Sequence, residues 1–594
     1  MTEYMASLVE RTRRENGQMK WGFDWVMYNL GLELYGRAVR LPFVPHAAEG
    51  EAQTKSEAEL GIDLAFLSAD RTELVLFVLK ASRLTNATWT GKDFFSDLAK
   101  ASLPDLSAEG YAQIKKVRII LAYNKDDDAT GIELYERFKQ GNSAPIGNGV
   151  ERIYERWDLF TIVDHALGRL LSPALVPQAF FGQLNYLCAQ FAEFKHGSEP
   201  WELQLLPAWR RFVSDALSEG TAARGFWLIP VALIILQEHG KGNPSSETGW
   251  IELIEWASVA IWRTSLESGD LGVQEAAIKF WNGFYLEELS RFYKAHHGAL
   301  ATKHSVDQFA VGSFAGVIAT SAIAHWHLGR LGLLSYSAIE ASTDDPKPLN
   351  AAKRARLHEL SNWLIAFVNA NHSTHRPILD IQHIEWYLVV MLLHSAMRLD
   401  EAAKLLEGLS QYLFTRRIGP DVLPFLDRSN SMAYAMEQMG EGAKSGQETP
   451  ISTAFIQMLL ELCCLLHVAD RDRLLPLMHS RLVLGAYDDS DEATNKPLSL
   501  LSWIPPAGWS KKVLNGYVDD GEVVMVSPIS TKAKIPVDQL VSALRDLSEK
   551  MTAVSPLPDQ EAVPRTALIL ASMLHRSPLP PEFWRNIAFP PATA

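Results

Sequence analysis

The sequence predicts an α+β multidomain protein. It divides into an N-terminal α/β domain (1–170), a large all-α region of helical pairs (171–485) and a small mixed C-terminal part (486–594). Three observations carry this. Ile62–Leu67 and Leu74–Leu79 are two runs apolar at nearly every position, joined by the polar turn Ser68–Thr72, the pattern of strands buried on both faces inside an α/β layer. From Gln178 to about Arg481, Trp and Leu anchors recur at helical spacing with almost no strand signal. After Trp503, prolines, a short β pattern and two further helical patterns alternate.

In chain order, Trp21–Tyr35 reads as an amphipathic helix. Phe23, Met27, Leu30 and Leu34 share one face, and Gly36 stands where a C-cap is expected. Leu41–Val44 suits a short strand and Ala47–Glu59 an acidic loop. After the two central strands, Thr90–Ala101 reads as a helix capped by Thr90, and Val117–Tyr123 as a third apolar strand. Helices are expected from Ile132 and over Trp157–Leu171, separated by the loop Gly141–Gly149. Strands alternating with helices make this an α/β unit.

The helical region breaks at Gly240–Gly249, Thr343–Leu349 and Gly440–Pro450, each a Gly/Pro/Ser/Asp cluster. Within it, Glu385–Ala396 and Glu401–Leu409, joined at Met397–Asp400, resemble a tetratricopeptide hairpin, with Ala402 at the tight crossing. No regular array with a period of about 34 residues accompanies it. In the C-terminal part, Val513–Ile529 around Asp519-Asp520-Gly521 suits a β-hairpin. Val537–Met551 suits a helix, Ser555–Pro564 a linker, and Thr566–His575 a last helix.

The net charge of −14 argues against non-specific coating of DNA, although a local basic groove is compatible with it. The three cysteines, Cys188, Cys463 and Cys464, form no disulfide framework. The first sixteen residues carry charge and no secretory apolar core, so a cytoplasmic protein is expected. Phe226–Leu236 is too short to span a bilayer, and Phe309–Ala324, rich in Gly, Ala and Ser, suits a buried helix; no membrane is expected. Histidines crowd the span 296–394 (His325, His327, His372 and His375 among them) without zinc-ligand spacing, and read as polar packing residues. No phosphate-binding glycine loop, nucleophile elbow or paired-cysteine motif is present.

The order helix, strand with Asp63, strand ending on Lys80, helix, strand resembles the restriction-endonuclease-like fold, the PD-(D/E)XK superfamily, over the first quarter to third of the chain. The resemblance implies a nuclease-like domain that cleaves phosphodiesters with Mg²⁺. Asp63 would be its metal-binding acid and Lys80 its lysine, with Asp24 matching the helix acid of Mrr-like members. In that chemistry the metal lowers the pKa of the attacking water. The family places an acid or Gln two residues before the lysine, where this chain has Val78. Since 78 and 80 share a strand face, an apolar side chain points where a ligand is needed, and Glu73 faces the other way. Asp93 and Asp97, four apart on one helical face, are candidate replacements, with Asp97 the candidate second metal ligand. The simpler reading makes Asp63 and Lys80 a strand-end ion pair and the two helix acids a solvated face.

Two functions follow. One is a nucleic-acid-targeting component of a bacterial multiprotein system, as in defence against phage. Its nuclease-like domain would be degenerate or weakly active, its helical body would bind other protein subunits, and DNA would meet Lys80, Arg83, Lys92, Lys115 and Lys116. The other is a non-catalytic scaffold with no nucleic-acid role.

Overall fold

The computed structural model describes residues 14–15, 18–19, 23–39, 61–91, 94–104, 106, 111–125, 127–146, 149–169, 176, 178–218, 222–243, 245–310, 314–340, 351–415, 452–479, 499–516, 522–526, 536–554 and 563–589. The chain forms two compact units, Met1–Leu253 and Ile254–Ala594. It is α+β, with an N-terminal mixed sheet and a mostly helical remainder.

The sheet has five strands in sequential order: β1 (Arg37–Ala38), β2 (Leu64–Leu67), β3 (Glu73–Lys80), β4 (Lys116–Tyr123) and β5 (Glu151–Trp157). β1, β2 and β3 run antiparallel, whereas β3, β4 and β5 run parallel. Helices α1 (Phe23–Tyr35), α2 (Asn86–Gly91), α3 (Phe94–Ala101), α4 (Ala129–Asn142) and α5 (Leu159–Arg169) complete the domain.

The apolar runs are strands because both faces of the sheet are covered. On one face Leu74, Leu76 and Val78 of β3 pack with Val117, Ile119 and Leu121 of β4 beneath Trp89, Phe94, Leu98 and Phe138. On the other, Phe66 and Phe77 meet Tyr28 and Tyr35 of α1, and Phe77 meets Trp157 edge-on at 5.4 Å. The β2–β3 turn is fixed by Asp70, which accepts from the Ser68 and Thr72 hydroxyls and the Thr72 N–H. These bonds hold its carboxyl at about 2. α1 ends at Gly36, whose φ of +88° closes the helix as expected.

Several boundaries differ from expectation. The predicted helix over 90–101 is two helices, α2 and α3, and Thr90 lies inside the first rather than capping it; Asn86 opens that turn. Asp128, not the expected turn alone, caps α4 by accepting the Gly131 N–H at 2.7 Å. Residues 151–157, expected as loop running into a helix at Trp157, form the fifth strand, and α5 starts after it. The expected strand at Leu41–Val44 and loop at Ala47–Glu59 lie outside the described residues.

From Gln178 onward the first unit is helical. Trp209 donates its indole N–H to the Leu253 carbonyl at 2.8 Å, and Trp201 donates to Glu252, also at 2.8 Å. The second unit contains the hairpin of His383–Ser395 and Leu399–Thr415, turned at Met397 with φ +58°, and Ala402 is fully buried. Two ion pairs among its described residues are buried. Arg330 binds Glu255 through two hydrogen bonds of 2.9 and 2.6 Å, and Arg585 binds Glu461.

The C-terminal β pairing is not the expected hairpin within Val513–Ile529. Strand Ser499–Ile504 pairs antiparallel with Glu522–Val526, and Trp509–Leu514 between them is a helix. A helix at Glu582–Ala588 was not anticipated; it buries Phe583, Trp584 and Arg585. The breaks at 343–349 and 440–450, and the start of the predicted linker at 555–562, lie outside the described residues. Among the described residues no helix is long and apolar enough to cross a membrane.

Candidate functional site

The strand directions bring the candidate residues to one edge. Because β2 is antiparallel to β3, the residue entering β2 and the residue leaving β3 share the edge where β4 and β5 also end. Asp63 enters there and Lys80 leaves there.

Asp63 is tied into the ladder twice. Its N–H donates to the Phe77 carbonyl at 2.8 Å, and its Oδ2 accepts the Leu79 N–H at 2.7 Å. The carboxylate therefore stands in for a backbone acceptor at the strand end, satisfying an N–H that the irregular entry to β2 would otherwise leave unmatched. Lys80 forms an ion pair with Asp97 of α3, and its ammonium lies 5.8 Å from the centre of the Phe94 ring. Both side chains are largely covered, 14% and 19% exposed, so this is not a solvated surface pair. The expectation that Asp97 belongs to a solvated helix face is corrected accordingly.

Gly61 makes this approach feasible. Its φ is +64°, and a Cβ there would fall 2.5 Å from the Cα of Asp97. Only glycine lets the strand entry and α3 come so close. Val78 points to the same face as Lys80 and is fully buried in the apolar core.

A second charged group at this edge was missed from sequence. Arg156 of β5 forms an ion pair with Asp127 and donates to the Tyr123 hydroxyl at 2.8 Å; Tyr123 in turn donates to Asp127 at 2.7 Å. Burial raises the Tyr123 phenol above its ordinary value, so it remains a neutral donor. Arg83 donates to the Asp127 backbone carbonyl at 3.3 Å. The alternation in Glu151-Arg152-Ile153-Tyr154-Glu155-Arg156-Trp157 was the available signal for this strand and its arginine.

Among the described residues, Lys115, Lys116 and Glu73 do not gather here. Glu73 aligns with Lys116, and Lys80 with Tyr123. Lys115 and Lys116 therefore sit at the opposite end of the strands from Lys80, roughly 23 Å away at about 3.3 Å per residue. Glu73 at that far end pairs with Arg118 at 2.7 Å, and Arg118 also binds Glu155. Asp24 lies in the first turn of α1, the helix on the opposite face from Val78; its side chain, and Lys92 and Asp93 altogether, lie outside the described residues.

Mg²⁺ prefers an octahedron of oxygens supplied by carboxylates and water. Among the described residues, those at this edge do not fit that ion. Val78 offers no donor, Asp63 accepts a backbone N–H, and Asp97 is ion-paired with Lys80. Among the described residues no group of three or more His, Cys, Asp or Glu side chains converges as a metal site. In the histidine-rich span, Asp307 accepts the N–H groups of His372 and Ser373 and bonds His304, while His325 bonds the Ser321 carbonyl.

No protein-family model, no curated protein and no solved structure matches the chain.

Proposed function

We propose that this protein is a non-catalytic subunit of a nucleic-acid-targeting multiprotein system of the defence type. Its nuclease-like N-terminal domain serves as architecture, and its helical body holds partner subunits. The observation that carries this is the state of the strand edge: Val78 stands in the ligand position and Lys80 is committed to Asp97. Such an edge supplies too few free carboxylates to fix an ion and its water for in-line attack. The test is to recover the protein with its neighbouring gene products and assay the assembly on DNA, comparing wild type with Asp63→Ala and Lys80→Ala. Cleavage lost in both variants would overturn the reading. Unchanged biological function in both supports it.

A second reading, a scaffold with no nucleic-acid role, is favoured by one observation. Among the described residues, the basic side chains that would line a DNA groove are split between the two ends of the sheet, on a chain of net charge −14. DNA binding by the assembly that is weakened by Arg83→Ala would count against it.

A further inference from the structure

We infer that the seam between helices Glu287–Leu300 and Ala351–Ala370 is a docking face for the phosphate backbone of DNA. The inference rests on the nucleic-acid-targeting part of the reading above and is independent of the strand edge. The chain as a whole has a net charge of −14, but residues 287–307 and 351–376 carry seven Lys and Arg against four Asp and Glu. A local excess of cations is where a polyanion can approach an otherwise acidic protein.

The two helices lie side by side and run the same way. Arg356 donates to the Ser290 hydroxyl at 2.6 Å, and seven residues further along each helix the His297 ring stacks on Trp363, with centroids 4.8 Å apart. The Arg356 guanidinium also lies 5.2 Å from the centre of the Trp363 ring, so one indole positions two side chains with N–H donors. Past the helix ends His304 meets His372, with ring centroids 5.6 Å apart. At 1.5 Å per residue the seam is about 20 Å long.

Three of its four acids are committed. Glu359 pairs with Arg356, Glu288 with Arg291, and Asp307 accepts the His372 and Ser373 N–H groups. The unbalanced charge comes from lysines. Lys294, one turn before His297, and Lys303, next to His304, are exposed, and among the described residues neither has a carboxylate partner. Mobile ammoniums in line with fixed guanidinium and imidazole donors suit the closely spaced oxygens of a phosphodiester chain. With Trp363 engaged by His297 and Arg356, the contacts are to phosphate, and binding is indifferent to base sequence.

The test is fluorescence anisotropy of the full-length protein with two labelled DNA duplexes of about 20 base pairs and unrelated sequence. Both should bind with similar affinity, falling steeply as salt rises. Lys294→Glu/Lys303→Glu should weaken binding at least about tenfold and flatten the salt slope by about two, whereas Lys294→Arg/Lys303→Arg should bind like wild type. If the Glu pair does not fold, Lys294→Gln/Lys303→Gln is read in the same way. Lys241→Glu/Lys279→Glu imposes the same charge change at lysines 70% and 72% exposed elsewhere, and should stay within about threefold of wild type. No binding by the wild type, an equal loss in that control, undiminished binding by Lys294→Glu/Lys303→Glu, or displacement of DNA by polyglutamate as readily as by unlabelled DNA would each overturn the inference. DNA binding that survives the reversal sinks only this face. If the assembly with its neighbouring gene products also fails to bind DNA, the nucleic-acid-targeting reading falls with it.

Discussion

Lys80, the last residue of a central strand, is ion-paired to Asp97 of the helix that covers that strand, and both side chains are less than one-fifth exposed. A pair so placed couples sheet to helix. Removing either partner leaves the other charge poorly solvated. Lys80→Ala and Asp97→Ala should each destabilise the N-terminal domain by about 1–3 kcal/mol. The double variant should lose less than the sum, as denaturant melts of the four proteins in a cycle would reveal. Strict additivity would mean that the pair contributes nothing.

Gly61→Ala should cost about 1–3 kcal/mol in the same melts. The left-handed φ of +64° penalises any side chain, and the new methyl would meet Asp97 backbone that cannot move aside cheaply. A neutral effect would show that the strand entry and α3 are not in the contact described.

In the helical body, Arg585 and Glu461 are 1% and 0% exposed, and Glu461 also accepts from the Trp584 indole. Arg585→Met should destabilise by roughly 3–5 kcal/mol because it strands a buried carboxylate. Adding Glu461→Gln keeps an acceptor for Trp584 and removes the stranded charge. That double variant should recover part of the loss, as measured by thermal unfolding.

Glu385 provides a pH test. Its Oε2 is buried with no hydrogen-bond partner, and burial raises its carboxyl to about 7, only partly opposed by Arg330. The folded state therefore keeps a proton that the unfolded state releases near its ordinary value. From this group, stability falls as pH rises from about 4.5 to about 7, by roughly 1–3 kcal/mol. His325 and His375 act in the opposite sense. Burial lowers both to about 4, so their contribution is full above about 6.5 and is lost as pH falls through about 4. Glu385→Gln isolates the first effect. It should stabilise the protein at pH 8 and change little at pH 5, and equal shifts at both would contradict the assignment.

How much of this was legible in sequence depended on whether burial left a pattern. β3 and β4 are apolar at nearly every position because helices cover both faces, and they were read to within a residue or two. β5 was missed because it is an edge strand carrying Glu151, Arg152, Glu155 and Arg156, so its alternation is muted by charge. The Arg156–Asp127–Tyr123 group went unseen with it. Val513 and its neighbours looked like strand, yet Gly508 at φ +68° opens a helix there and passes the pairing back to Ser499–Ile504. That Val78 and Lys80 share one strand face was legible from strand alternation. That Lys80 would be held by Asp97, and that Lys115 and Lys116 would sit at the far end, depended on sheet register, which no local pattern encodes.

The central proposal is that the strand edge bearing Asp63 and Lys80 does not catalyse. The most direct measurement is DNA cleavage by the isolated wild-type protein in Mg²⁺, beside Asp63→Ala and Lys80→Ala. The account predicts no cleavage above the level of either variant. The strand edge offers one carboxylate tied to a backbone N–H and another tied to a lysine, with the apolar Val78 buried on the same strand face as Lys80. Robust cleavage by the wild type, abolished by either substitution, would contradict it and make this domain an active nuclease.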